Sequence, residues 1–235
     1  MKTTYNTIIT LLLIPLLALS AIGQSVKKAN PYGLNVVSDT ATYNALVEQN
    51  PHKALINIKN FAPGIALDIR YATDNNFCGE QIYNSPEAFV RKPVAEALKK
   101  VQADLKEMGM GLKVFDAYRP YSATVKFYEV YPDTNFVAAP WRGSVHNRGC
   151  AVDVTLIDLK TNKQLEMPTP FDDFTNKASH SYNDLSEHVL KNRQTLRNIM
   201  TKHGFEIYED EWWHYDFKDW KNYELMDISF EELID

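Results

Sequence analysis

The amino-acid sequence predicts one domain that combines β-strands with amphipathic helices. Its 235 residues, 45% of them hydrophobic and 23% charged, are enough for one well-buried core and few for two. Segments in which apolar and polar residues alternate, as in half-buried strands, are separated by segments whose apolar residues recur every three or four positions, as in helices. No internal repeat or low-complexity tract breaks this pattern.

The N-terminal 23 residues resemble a secretory signal peptide. One cation, Lys2, precedes an apolar run from Ile8 to Leu19, and the small residues Ala21 and Gly23 follow it. A retained membrane anchor is the alternative, although the run is short for a bilayer span. We therefore expect cleavage before Gln24, a mature protein in the periplasm or outside the cell, and no stable membrane anchor.

Residues 24–60 are predicted to form a lead-in to the domain, which we place at residues 61–235. The stretch up to Asp39 has no periodic pattern and is expected to be flexible. A short helix is predicted over Thr42–Glu48.

Four elements are predicted in the first half of the domain, and a turn-rich loop over Asp74–Gly79 separates the first two. They are a strand over Ile65–Tyr71, a helix over Pro93–Met108, a strand over Leu112–Asp116 and a helix over Ser122–Tyr131. The first of these helices has an apolar stripe at intervals of four and three residues, with proline in its first turn and glycine after its end.

The second half adds a strand over Ala151–Leu156, a helix over Leu185–His203 and a strand over Phe205–Tyr208. Asp184 and Glu187 have the spacing of a capping box at the start of the helix. Residues 166–174 contain two prolines and no periodic pattern, which predicts a loop.

Three side chains from two distant segments have the composition of a metal site. In a strand that begins at Ala151, Asp153 faces away from the main apolar side chains. Gly149 can adopt a backbone conformation closed to other residues, so a turn there would bring His146 back toward Asp153. With His214 from near the C-terminus, the set provides the three ligands and the open water position of a catalytic zinc.

Glu211 is left over as a general base. Bound zinc lowers the pKa of its water to about 7, and a carboxylate within reach can take the proton. Residues three apart point to opposite faces of a strand. Glu211 and His214 can therefore share one site only if Glu211 precedes the strand or lies at a bulge.

These motifs resemble those of the zinc D-Ala-D-Ala peptidases of the VanX and VanY type. The resemblance rests on Ser-x-His-x2-Gly-x-Ala-x-Asp at residues 144–153 and on Glu-x2-His at residues 211–214. Asp-Ala-Tyr-Arg-Pro at residues 116–120 and the segment at residues 68–77 are similar to the VanX-like dipeptidase branch. The resemblance covers residues 65–217, most of the mature chain.

The resemblance implies a compact α+β domain of the hedgehog/DD-peptidase-like class, with a central antiparallel sheet flanked by helices. It also implies one Zn²⁺ per chain and hydrolysis of the D-alanyl-D-alanine dipeptide.

Arg119 corresponds to the catalytic arginine of that family. Its planar guanidinium could clamp a substrate carboxylate or the oxyanion formed during attack. The alternative is a surface ion pair, which is the better interpretation without the surrounding motif.

Ser144 and Asp172 are the predicted substrate-binding residues. Ser144 could hydrogen-bond the amino end of the substrate or only cap the turn before His146. By its place after Asp153, Asp172 resembles the family's ammonium-binding aspartate, where it would reject longer peptides that lack the charge. The alternative is that Asp172 or Asp173 is an ordinary turn residue.

The two cysteines, Cys78 and Cys150, belong to a chain with an export signal, where thiols oxidise readily. The resemblance places both near one cleft, so a disulfide between them is possible. A buried Cys150 and a free loop thiol at Cys78 are the alternative.

The leading hypothesis is therefore a zinc dipeptidase acting on a small D,D-dipeptide. A zinc D,D-carboxypeptidase that trims D-Ala from peptidoglycan stem peptides is the nearest rival, and a zinc-bearing binding module without catalysis is a more distant one. The formal net charge of −5 gives no support for a nucleic-acid partner. The sequence does not indicate an oligomeric state.

Overall fold

The structure is a computed structural model that describes residues 30–234. The predicted signal peptide and the first residues of the lead-in lie outside this range, so export of the protein stays a prediction. Within residues 30–234, no helix has the length and apolar character needed to cross a membrane.

The described chain contains six α-helices and ten strands, together with several single turns of 3₁₀ helix. The helices are α1 (Thr40–Gln49), α2 (Ile58–Phe61), α3 (Lys92–Glu107), α4 (Tyr121–Val130), α5 (Glu187–Lys202) and α6 (Phe230–Ile234). The strands are β1 (Val36–Val37), β2 (Leu55–Asn57), β3 (Ala66–Leu67), β4 (Phe89–Arg91), β5 (Met110–Asp116), β6 (Ala151–Asp158), β7 (Lys163–Gln164), β8 (Phe205–Tyr208), β9 (Glu211–Phe217) and β10 (Leu225–Met226).

A six-stranded sheet forms the centre of the domain. Its order is β3-β5-β6-β9-β8, with β7 paired to the end of β6, and only the β3–β5 pair is parallel. Strand β6 is buried along almost its whole length, and α3 and α5 pack against the sheet and each other. The α+β domain with a central, mainly antiparallel sheet flanked by helices is therefore confirmed.

The strand expected over Ile65–Tyr71 is much shorter than predicted. Only Ala66 and Leu67 pair with β5, after which the chain turns into a 3₁₀ turn at Arg70–Ala72. The carbonyl of Tyr71 accepts backbone hydrogen bonds from Ile82 and Tyr83 of the following loop, and the Tyr71 side chain is buried.

Two predicted helix ends also differ. Helix α5 begins at Glu187 after Ser186, so the capping box predicted from Asp184 does not form. Met108, expected on the buried stripe of α3, is the residue that closes this helix and is 52% exposed.

The predicted lead-in is part of the domain from Val36 onward. Strand β1 pairs with β10 near the C-terminus, and β2 pairs with β4. The side chain of Lys53 forms an ion pair with Glu224. The lead-in thus contributes short strands whose partners lie far along the chain, and such strands carry little periodic signal in the sequence.

Gly149 makes the turn that the sequence predicts. Its φ of +68° is in the left-handed region, and it follows a 3₁₀ turn over His146–Arg148. A β-carbon at this position would lie 2.6 Å from Leu55 Cδ2, so any side chain here would require Leu55 to move as well as a strained backbone. The turn leads directly into β6 and places His146 beside it.

Both cysteines are free in the structure, which matches the alternative of two unpaired thiols and not the possible disulfide between Cys78 and Cys150. Cys150 is fully buried behind the Gly149 turn, whereas Cys78 lies half-buried in the loop after Tyr71. Burial raises the pKa of the Cys150 thiol to about 12 and that of Cys78 to about 11. The two thiols thus lie in different surroundings, one in the core and one in a loop.

Candidate metal centre

The three predicted ligands meet at the junction of β6 and β9. Asp153 and His214 are direct partners in the antiparallel register, and the Gly149 turn brings His146 to the same point. Asp153 Oδ1 lies 3.0 Å from His214 Nδ1 and 3.4 Å from His146 Nε2. One donor atom from each residue falls within 4.8 Å of the others.

The outer nitrogen of each imidazole has its own acceptor. His146 Nδ1 donates to the carbonyl of Ala117 at 2.7 Å, and His214 Nε2 donates to Asp216 Oδ1 at 2.9 Å. With the ring protons assigned to these outer nitrogens, the two inner nitrogens present lone pairs to one another across 3.2 Å, beside the Asp153 carboxylate. Three converging electron-pair donors fit a divalent cation.

The charge state of the carboxylate suits this arrangement. Burial by itself raises the pKa of Asp153, but the neighbouring His146 and His214 outweigh it and hold the pKa well below the usual range. Asp153 is therefore ionised at neutral pH.

Glu211 reaches the same centre because the edge of the sheet is irregular. Ile207 of β8 faces Tyr215, but the next residue, Tyr208, faces Glu211, so the pairing skips three residues of β9. This irregularity is the bulge that the sequence required, and it leaves Glu211 Oε2 4.0 Å from His214 Nδ1. Burial raises the pKa of Glu211 to about 7, so the carboxyl can both accept and release a proton near neutral pH.

Arg119 is a buried residue, so its interpretation as a surface ion pair is wrong. Its guanidinium donates from Nε and Nη2 to Asp116 Oδ2 at 3.0 and 2.7 Å, and it lies 4.7 Å from the ring centre of Phe127. The same Nη2 is 3.9 Å from Asp153 Oδ2. Arg119 is thus fixed as a cation beside the metal ligands.

Asp172 projects into the same space from the loop at residues 166–174. Its φ is +61°, and its carboxylate accepts hydrogen bonds from the Tyr71 hydroxyl at 3.1 and 3.2 Å. Burial, and then the charge of Asp153, raise the pKa of Asp172 well above its usual value. A ligand cation placed here would therefore be stabilised.

Ser144 caps the turn that carries His146, because its hydroxyl oxygen accepts the His146 backbone N–H at 3.2 Å. Ser144 also lines the cavity, so a role in substrate binding stays a prediction.

A cavity of about 450 Å³ joins these groups. Aromatic rings from separate loops border it, with Phe174 5.2 Å from both Phe77 and Phe136 between ring centres. All seven predicted catalytic, metal and substrate residues line the cavity: Arg119, Ser144, His146, Asp153, Asp172, Glu211 and His214.

Sequence reasoning missed two carboxylates that position the site. Asp116 holds Arg119, and Asp216 orients His214. Asp216 carried a usable signal, since a residue two positions after His214 on a strand points to the same face. Asp116 had none beyond its place in the Asp-Ala-Tyr-Arg motif, because the bulge that turns it inward is a tertiary feature.

Replacing Asp216 with leucine should weaken metal binding about 10- to 100-fold, because the His214 ring loses the acceptor that sets its tautomer. Competition with a chromophoric chelator measures the affinity. Asp216→Asn keeps an acceptor oxygen and should retain most of the metal affinity. The control is Glu206→Ala, at an exposed residue of β8. Equal affinity in the leucine variant and the wild type would rule out this role.

The chain is similar to D-alanyl-D-alanine dipeptidases over most of its length. A family profile described as Peptidase_M15, D-ala-D-ala dipeptidase, matches residues 52–231. The D-alanyl-D-alanine dipeptidase of Escherichia coli K12 is 32% identical over 177 residues, covering 75% of this chain and 91% of that protein. The D-alanyl-D-alanine dipeptidase of Enterococcus faecalis V583 is 32% identical over 176 residues, covering 66% of this chain and 87% of that protein. The solved structure of the LdcB LD-carboxypeptidase, with 20% identity, aligns with a TM-score of 0.40 over 74% of this chain and 75% of that one.

Proposed function

The chain belongs to the D-Ala-D-Ala dipeptidase family, and from this premise we propose that it hydrolyses the free D-alanyl-D-alanine dipeptide with one Zn²⁺. The ion would be held by His146, Asp153 and His214, a set of two imidazoles and one carboxylate that is typical of catalytic zinc. The observation that carries the proposal is the convergence of three potential ligand atoms, two imidazole nitrogens and one carboxylate oxygen, beside the buried carboxyl of Glu211.

When bound, zinc supplies Lewis-acid chemistry that makes a water nucleophilic near neutral pH and polarises the carbonyl under attack. Glu211 takes the proton from the attacking water and passes it to the leaving amine. Its pKa of about 7 suits both steps, since a group that titrates near the working pH can accept and then donate.

Arg119 stabilises the negative charge that develops on the carbonyl oxygen. It is held in place by Asp116 before substrate arrives, so little reorganisation is needed during the reaction. This role matches its burial next to the metal ligands better than a role at the outer end of the substrate.

Asp172 binds the substrate ammonium group. A buried carboxylate with a raised pKa is stabilised by an incoming cation, and the Tyr71 hydroxyl orients it. A longer peptide would place an uncharged amide at this position and leave Asp172 without a charge partner. The site therefore favours a free dipeptide.

Substrate length tests this proposal against the carboxypeptidase alternative. The zinc-loaded protein is expected to hydrolyse D-Ala-D-Ala with a kcat/KM at least about 100-fold above that for an N-acetylated tripeptide ending in D-Ala-D-Ala, because the latter lacks the ammonium group. Release of D-alanine is measured in both cases. Preference for the blocked tripeptide would favour the carboxypeptidase, and turnover of neither by zinc-loaded protein would favour a binding module.

A further inference from the structure

The cavity brings charged groups of both signs around the proposed metal ligands. Asp172 and Asp153 border it, and so does Arg142. Tyr208 borders it as well, and its ring centre lies 5.7 Å from that of His214. An acidic side chain, the proposed metal ligands and a basic side chain thus share one cavity.

A dipeptide in water carries the complementary pattern. Its ammonium and carboxylate are at opposite ends, with the scissile carbonyl between them, and the extended molecule is only about 7 Å long. If Asp172 takes the ammonium, as proposed above, the carboxylate must leave the metal centre on the side away from Asp172.

Three arginines line the cavity, and two of them are already engaged. Arg119 is paired with Asp116, and Arg148 donates to the carbonyl of Tyr223 while its guanidinium stacks on Trp220. The Arg142 side chain forms no hydrogen bond or ion pair with any residue between 30 and 234, although it borders the cavity. Of the three arginines of the cavity, it is the one whose guanidinium is available to an anionic ligand.

We infer that Arg142 binds the C-terminal carboxylate of the substrate and makes the enzyme selective for dipeptides with a free C-terminus, an inference that rests on the proposed function. The planar guanidinium can form two charge-assisted hydrogen bonds to a carboxylate at once. Arg142 then acts at the end of the substrate opposite Asp172, and the two residues together select a zwitterion of fixed length.

Replacing Arg142 with alanine is expected to raise KM for D-Ala-D-Ala about 10-fold or more, with kcat changed much less, because the contact is made equally in the ground and transition states. The same dipeptide with a C-terminal amide should be a poor substrate of the wild type, and R142A should change its kcat/KM less than 2-fold. Arg142→Lys keeps the positive charge but not the planar guanidinium. The KM of this variant for D-Ala-D-Ala should therefore lie between those of the wild type and R142A. Initial rates over a substrate series give all of these values.

Lys191→Ala removes another exposed cation, on α5, and controls for net charge. Arg142 has no such role if R142A leaves KM for the free dipeptide unchanged, or if it raises KM for the dipeptide and its amide by the same factor. Wild-type protein that hydrolyses no dipeptide would instead overturn the proposed function, and this inference would fall with it.

Discussion

Replacing Glu211 with alanine is expected to lower kcat for D-Ala-D-Ala by about 10²- to 10⁴-fold, which is the usual contribution of a positioned general base. Zinc should remain bound, because the three proposed ligands are untouched and Glu211 Oε2 lies 4.0 Å from the nearest ligand nitrogen. Zinc content by atomic absorption and single-turnover rates on the same preparation measure the two effects separately.

Glu211→Gln is the closer substitution, because it keeps the shape of the side chain and removes only its ability to accept the proton. It should lose nearly as much activity as the alanine variant, whereas Glu206→Ala, at an exposed carboxylate of β8, should lose none. Undiminished turnover in either Glu211 variant would show that the proton is moved by another group.

Replacing His146 with alanine is expected to abolish both zinc binding and hydrolysis. The His146 side chain is only 2% exposed and belongs to the proposed set of three ligands. The two ligands that remain in the variant would hold zinc poorly. An ion that binds the folded state but not the unfolded state raises the melting temperature. Zinc should therefore raise the melting temperature of the wild-type protein and have little effect on that of the His146 variant. Removal of zinc by a chelator should reproduce the loss of activity reversibly.

His188→Ala is the matched control, because His188 is an exposed histidine paired with Glu166 away from the cavity. It should keep both the zinc-dependent stabilisation and the activity. A His146 variant that still binds one zinc and turns over substrate would contradict the proposed ligand set.

Most helices and strands were predictable, because each has a characteristic spacing of apolar residues in the sequence. The apolar stripe before Gly109 predicts α3, and the alternation after Ala151 predicts β6 with Asp153 facing away from the main apolar layer. Failures occurred where a partner far along the chain decides the outcome. The strand predicted at Ile65 pairs with β5 over only two residues before the chain turns at Arg70, and the helix predicted from Leu185 begins at Glu187.

The sequence by itself determined the types of donor atom, the turn at Gly149 and the membership of Glu211 in the site, because each depends on residue chemistry and short spacing. Only the tertiary structure decided which atoms face the centre. The pairing of Asp153 with His214, 61 residues away, and the irregular register directly after Glu211 are set by contacts between β6, β8 and β9. No local period encodes such contacts, because the alternation of a strand states which residues share a face and not which strand lies beside it.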